Sequence, residues 1–336
     1  MYKISIIMPI FNTEKYIERS FKSILNQTMD LNDIEVIMVD DCSTDNTQNI
    51  VKEYEEKYPN FKAIYHKTNS GGCAVPRNSG FEIATGKYIM FLDPDDEFAL
   101  DMCETLYNKI ENSDAEIVKC NHELINPVSS IIDYQYDKSL SEIKIDCKKD
   151  LPPNSVSVCN CIHNHEFLKN NNIKFRELKN SEDLVFSMVE FLNANTMIFL
   201  NNYAGYKYYT NEEISHQSKP TDEKIESLIE GYLITRDIIK KQNRSEIYYN
   251  LFSKRCSEFF IRLLNYTGRN KKKHFIKFYE FEKNLDCTLN FEYMWMNIVN
   301  KFIVKNHIST AIFIFNAFNF IRKSPLVNIY RIYLNK

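Results

Sequence analysis

Hydrophobic positions along this chain fall into two kinds of run. Residues 3–10, 34–40, 61–66 and 87–93 are short and almost continuously apolar, the pattern of strands buried on both faces. The segments between them carry helical spacing. Residues 14–27 place Tyr16, Ile17, Phe21, Ile24 and Leu25 on one face. Residues 46–57 follow Ser43, Thr44 and Asp45 as capping candidates, and 74–84 carry Pro76 in the first turn. Strands alternating with helices predict an α/β fold with a mainly parallel sheet flanked by helices.

Past residue 120 the alternation weakens. Residues 121–155 give faint strand and loop signals, and Pro152-Pro153 marks a turn. Helices are expected at 164–171 and 182–193, then two short strands at 196–200 and 205–209. From Pro220 on, long helical patterns rich in Phe, Tyr, Lys and Ile dominate. The expected division is a catalytic domain over 1–215 and a helical appendage over 220–336.

Composition changes the picture in three places. Only 7 glycines occur among 336 residues, and Gly71, Gly72, Gly80 and Gly86 fall close together. No GxGxxG and no GxxxxGK[ST] can be written, which argues against dinucleotide-fingerprint enzymes and P-loop NTPases. No apolar run reaches the roughly 18–20 residues of a spanning helix. The longest candidate, around Ala311 to Ile321, is broken by Asn316 and Asn319. Residues 4–11 lack the flanks of a signal peptide. Nine cysteines without regular spacing predict reduced thiols and a cytoplasmic location.

Two strands end in carboxylates: Asp40-Asp41 after IEVIMV, and Asp93-Pro94-Asp95-Asp96 after KYIMFL. In a parallel sheet ligands bind beyond the carboxyl ends of the strands, so both clusters are expected in one crevice. A D-x-D pair can hold Mg²⁺ or Mn²⁺ while leaving positions open for phosphate oxygens and water. Taken singly, each cluster also reads as a cap for the following helix. GGCAVPRNSG (71–80) adds close backbone approach at Gly71 and Gly72, and an Arg77 placed to pair with a phosphate or with one of the Asp clusters.

These motifs together resemble a known family. SIIMPIFN (5–12), VDDCSTDNT (39–47), GGCAVPRNSG (71–80) and ATGKYIMFLDPDD (84–96) are similar, in order and spacing, to the inverting family 2 glycosyltransferases of the GT-A fold, over about residues 1–215. The resemblance implies that Asp41 contacts the nucleotide base and that backbone from Pro9 to Phe11 lines the nucleoside pocket. It implies that Asp93 and Asp95 meet ribose and metal, with Arg77 near the nucleotide. It also implies that Asp183 of the Glu182-Asp183 pair in NSEDLVFS is the catalytic base. An inverting transfer is one in-line displacement at the anomeric carbon, which needs one base and help for the departing diphosphate. The implied donor is a UDP-sugar, and the implied acceptor a glycan or lipid-linked hydroxyl of the capsule, lipopolysaccharide or teichoic-acid kind.

One stretch departs from the family pattern. CNCIHNHEFL (159–168) has Cys161, Asn164 and His165 where relatives often carry Lys or Arg, which puts acceptor or phosphate contacts from it in doubt. Cys159, Cys161, His163 and His165 alternate, so a strand would present them as a zinc set, whereas a helix from Asn164 would scatter them. A phosphohydrolase using strand-D-x-D fits poorly, because its motif belongs on the first strand and Glu97 stands where Thr or Val is wanted. A non-catalytic glycan-binding subunit of the same fold is the remaining alternative.

Charge divides the chain where the patterning does. Residues 1–220 hold 22 basic and 34 acidic side chains, net −12, whereas 221–336 hold 20 and 11, net +9. Glu292 is the last acidic residue. HISTAIFIFNAFNFIRK (307–323) is aromatic with a basic end, which suits the inner face of an anionic membrane as a peripheral contact. Packing on the catalytic domain or on a second copy in a homo-oligomer is the alternative. No stacking motif of an RNA-binding module is present, so no nucleic-acid partner is expected.

Overall fold

A computed structural model describes residues 1–153, 155–210, 220–285, 289–291 and 294–323. The chain divides into two compact units, Met1–His216 and Gln217–Lys336. The expected boundary between 215 and 220, Glu292, and the end of the helical region (324–336) lie outside the described residues or at their edge.

The first unit begins with β1 (Ile4–Ile10), α1 (Ile17–Leu25), β2 (Ile34–Asp40), α2 (Thr47–Lys57), β3 (Phe61–Tyr65), α3 (Ala74–Ile83) and β4 (Tyr88–Phe91). Every residue of β1 and β2 is buried, as continuous apolar runs require. It continues with β5 (Glu97–Phe98), α4 (Met102–Glu111), β6 (Ile117–Asn126), β7 (Ser129–Asp133), β8 (Glu142–Asp146) and β9 (Cys161–Asn164). The unit closes with α5 (His165–Asn170), α6 (Glu182–Asn193) and β10 (Thr196–Tyr209).

The sheet runs β3-β2-β1-β4-β9-β6-β10-β5, with β7 on β6 and β8 on β10. β3, β2, β1 and β4 are parallel, with Ile4 opposite Ile34 and Ile10 opposite Asp40. β9 is antiparallel to both β4 and β6, and β10 is parallel to β6. The mixed, helix-flanked α/β sheet is therefore present. Its carboxyl ends bring the β1, β2 and β4 loops to one edge.

Local differences from the sequence expectation have physical causes. α1 starts at Ile17 rather than Glu14, because Tyr16 and Ile17 first donate to the Thr13 carbonyl in a turn. The two strands expected at 196–200 and 205–209 are one strand, β10, with register shifts between Leu200 and Ala204 and between Ala204 and Tyr206. The polar NNYAG stretch is a bulge, not a break. α4 and the start of β6 had no counterpart in the sequence reading, because buried Lys119 and Asn121 interrupt the apolar pattern of β6.

Gly80 fixes how α3 sits. A Cβ there would lie 2.5 Å from Ile7 Cγ2, so the helix backbone rests directly on β1.

The second unit is helical: α7 (Asp222–Lys241), α8 (Glu246–Asn265), α9 (Lys271–Lys283), α10 (Met294–Ile303) and α11 (Ile308–Lys323). Thr221 caps α7 by accepting from the Lys224 amide. The Phe259 and Phe278 rings stack at 4.6 Å, and Tyr232, Phe252 and Phe281 pack around one another. Phe313 and Phe320 on α11 are 74% and 79% exposed.

Candidate active site

The first carboxylate pair divides its labour. Asp40 ends β2 fully buried, where its Oδ2 accepts from the Ser43 amide and from Gln48 Nε2. It holds the loop shut. Asp41 accepts from Ser70 N and Ser70 Oγ at 2.8 Å on Oδ2, while His66 Nδ1 lies 2.8 Å from Oδ1. His66 Nε2 in turn meets Ser79 Oγ. Asp41 is thereby oriented by two residues of the loop after β3, one of them braced in turn by Ser79 of α3.

The β1 loop is tied to the same place. Asn12, at φ 51°, donates from its backbone to Ser43 Oγ and accepts from the Thr44 amide through Oδ1. Pro9 is buried in β1, and Phe11 beside it is half-buried. The Asp41 amide donates to the Ile10 carbonyl at 2.8 Å, so Pro9 to Phe11 and Asp41 lie side by side at the carboxyl edge of the sheet.

The second cluster forms the turn after β4. The Asp93 side chain is 30% exposed and its Oδ1 accepts from Arg77 Nη2 at 2.8 Å. Burial, reinforced by the Asp93 charge, pushes the Asp95 carboxyl up to about 6. Burial together with both neighbouring carboxylates holds Asp96 well above its ordinary range. Asp96 is structural: it accepts from Tyr206 Oη at 2.6 Å and from the Tyr209 amide at 2.9 Å, fastening the turn to β10.

Asp93 and Asp95 fit a divalent cation on the chemistry of their donors. They are two hard oxygen ligands on one Pro-stiffened turn, and their mutual repulsion is what a cation would relieve. Among the described residues no group of three or more His, Cys, Asp or Glu side chains forms a closed metal cage. Two carboxylates would suit an ion that also takes phosphate oxygens and water.

Arg77 joins this turn to the Glu-Asp pair. Its side chain is 2% exposed; Nη1 donates to Asp183 Oδ1 at 2.6 Å and faces Glu182 Oε1 at 3.4 Å. The guanidinium also lies over the Phe175 ring, with Cζ 5.1 Å from its centroid. Arg77 thus meets one carboxylate of the second Asp cluster and both members of the Glu-Asp pair. An isolated cation in so buried a position would be costly, and the three carboxylates compensate it.

Glu182 and Asp183 open α6 after Ser181, which sits at φ 73°. Burial, reinforced by the Asp183 charge, raises the Glu182 carboxyl above its ordinary range. Burial also raises Asp183, against the pull of Arg77. Its side chain keeps 27% exposure. Oδ1 accepts from Arg77 Nη1.

The 159–165 segment disperses its side chains. Cys159 Sγ lies 4.0 Å from Arg77 Nη2, Cys161 Sγ donates to the Ser157 carbonyl, His163 pairs with Glu190, and His165 Nδ1 meets the Gly86 carbonyl. Four separate partners replace a shared zinc. A cation comes instead from a residue the sequence reading passed over. Lys119 on β6 lies opposite Cys161, donates to the Ser157 carbonyl, and its charge works, less strongly than Arg77, against the burial that raises the Asp183 carboxyl. The one visible signal was a lysine inside the otherwise apolar IVKC. His66 and Ser70 were also missed, having no motif of their own.

Comparison with known proteins agrees with this geometry. Residues 5–169 match the model of "Glycosyl transferase family 2". The chain is 34% identical over 221 residues to poly(ribitol-phosphate) beta-glucosyltransferase of Bacillus spizizenii, covering 64% of this chain and 33% of that one. It is 28% identical over 303 residues to poly(ribitol-phosphate) beta-N-acetylglucosaminyltransferase TarP of Staphylococcus aureus, covering 86% and 89%. The crystal structure of S. aureus TarS 1–349 in complex with UDP superposes with a TM-score of 0.74 at 22% identity, covering 94% of this chain and 91% of that one, so the fold is GT-A. The chain spans about a third of the length of the first of these relatives. With its strand-end carboxylates in order, the segment 5–169 is a glycosyl transferase family 2 domain.

Proposed function

We propose that this protein transfers a sugar from a UDP-sugar, with inversion and in the presence of Mn²⁺ or Mg²⁺, to a hydroxyl of a teichoic-acid-type polymer. The observation that carries this reading is the Arg77 bridge, which holds the D-x-D turn and the Glu182-Asp183 pair in one charged centre. The relatives named above act on poly(ribitol-phosphate), and TarS has been crystallised with UDP-GlcNAc, which supports both the donor and the acceptor class.

In this reading Pro9 to Phe11 and Asp41 receive the nucleoside, and Asp93 and Asp95 hold the cation. When bound, that ion neutralises charge on the departing diphosphate. The Asp183 carboxylate takes the proton of the acceptor hydroxyl. The acceptor oxygen bonds to the anomeric carbon as the bond to UDP breaks, and UDP leaves with the electron pair. Arg77 keeps Asp183 anionic and aimed, and the raised Asp183 carboxyl is a stronger base than an ordinary aspartate.

No disulfide joins the eight described cysteines, which supports a reducing, cytoplasmic setting. No described helix is long and apolar enough to cross a membrane. Exposed Phe313 and Phe320, with exposed Lys301 and Lys305 in the same unit, support peripheral contact with an anionic membrane face.

The test is UDP release from UDP-GlcNAc and UDP-glucose with Mn²⁺, with and without poly(ribitol-phosphate). Release stimulated by the polymer, with the sugar recovered on it, is expected. Silence with every donor, together with no stabilisation by UDP-Mn²⁺, would sink the enzyme reading.

A further inference from the structure

The first unit carries a basic groove outside the site just described. It encloses about 560 Å³ and is lined by Lys15, Glu18, Arg19, Lys22, Glu97 and Lys207 among others. Four cations meet two carboxylates there, on a stretch of chain whose net charge over residues 1–220 is −12. The groove is a local reversal of sign.

Its internal pairing leaves positive charge over. Glu18 is taken by Lys22 at 3.0 Å. Glu97 is shared by Arg19 at 3.2 Å, by Lys207 at 3.9 Å and by the Tyr209 hydroxyl. Lys15 has no ion-pair partner among the described residues. Like charges gathered without enough counter-charge favour an anion from outside.

The groove also has a direction. Arg19 donates to the Asp95 backbone carbonyl, so its inner end is the far wall of the D-x-D turn. From there it runs beside α1, which carries Lys22, to the turn ahead of that helix, which carries Lys15. Arg19 is held flat on the Tyr209 ring at 3.5 Å, which fixes one cation in place. A single phosphate would satisfy one end of such a track. A chain with repeated phosphates would satisfy both.

We propose that this groove binds a phosphodiester polyanion, the extended backbone of the acceptor polymer whose hydroxyl reaches Asp183. The ligand class rests on the acceptor reading under Proposed function; the groove and its charge excess do not. Contacts of this kind displace counterions from the polymer, so affinity should fall with salt. They also give the enzyme hold on the polymer at a distance from the reacting sugar.

The test uses the full chain with Lys15→Gln, Lys22→Gln and Lys207→Gln combined. Lys15 and Lys22 are exposed and Lys207 is half-buried beside Glu97, and an unchanged melting temperature serves as the folding check. Binding of purified poly(ribitol-phosphate) is measured at several salt concentrations, beside binding of UDP-Mn²⁺ and competition by inorganic phosphate. Expected is a loss of polymer affinity of at least about fivefold with a shallower salt dependence, while UDP-Mn²⁺ binds as before. Equal polymer binding by variant and wild type would overturn the groove and leave the acceptor reading standing. A wild type that binds UDP yet neither binds nor glycosylates the polymer would overturn that reading and the groove's ligand with it. Inorganic phosphate displacing the polymer at matched phosphate concentration would reduce the groove to a free-anion site and overturn the polyanion proposal.

Discussion

Arg77 Nη1 donates to Asp183 Oδ1 at 2.6 Å while Nη2 of the same guanidinium donates to Asp93 Oδ1 at 2.8 Å. A planar fork spanning two carboxylates from different elements cannot be reproduced by an ammonium. Arg77→Lys should therefore cut turnover at least tenfold. Arg77→Ala should also leave buried carboxylates unpaired and destabilise the first unit by about 3–5 kcal/mol. Steady-state kinetics with thermal melts of both variants check this; a wild-type melt for Arg77→Ala would refute the buried pairing.

Asp183→Asn keeps the shape and the Arg77 contact but cannot take a proton. Turnover should drop by roughly 10²–10⁴-fold with UDP binding intact. In wild type the base works only when ionised, and its carboxyl is raised. The acid limb of kcat against pH should accordingly lie above the ordinary aspartate range, with activity rising as pH rises through it. A limb at or below that range contradicts the assignment.

Asp95, pushed up to about 6, has a proton to lose before it can bind a cation at lower pH. UDP-Mn²⁺ affinity should weaken as pH falls through about 6, and calorimetry in buffers of different ionisation heat should register proton release on binding. Asp95→Ala should abolish the cation dependence. Nucleotide affinity that responds equally to Mn²⁺ in that variant would remove Asp95 from the cation site.

Glu282 in α9 offers a stability prediction away from the site. Its Oε1 accepts from Asn300 Nδ2 at 2.5 Å, its Oε2 has no hydrogen-bond partner among the described residues, and burial pushes its carboxyl up to about 7. The folded state therefore holds a proton that the unfolded chain releases near 4.5. The second unit should lose about 3 kcal/mol of stability as pH rises from about 4.5 to about 7. Glu282→Gln should flatten that dependence and raise stability at pH 8. Hydrogen exchange in α9 measures it, and an unchanged pH dependence would dismiss the buried charge.

Phe313→Ser with Phe320→Ser should reduce sedimentation with anionic phospholipid vesicles without moving the melting temperature, because both rings are exposed. Unchanged sedimentation would argue for another role for that face.

The parallel strands were legible because each is buried on both faces and so written as an unbroken apolar run. The carboxylates at their ends could be read from position alone. What stayed hidden depends on packing that no local pattern records. Lys119 and Asn121 are polar residues inside β6, so a central strand looked like a loop boundary. The bulge in β10 made one strand look like two. The His66 bridge to Asp41 and Ser79 joins residues 25 and 13 positions away, a relation visible only once α3 lies against the sheet.

That seating has a further consequence. Gly80 lies less than one helical turn beyond Arg77, and the space a methyl group would take at Gly80 is occupied by Ile7. The depth of the guanidinium is therefore gauged from the sheet itself, through a position where one extra carbon would act as a shim. Tolerance at the charged centre is set three residues away, by the smallest side chain available.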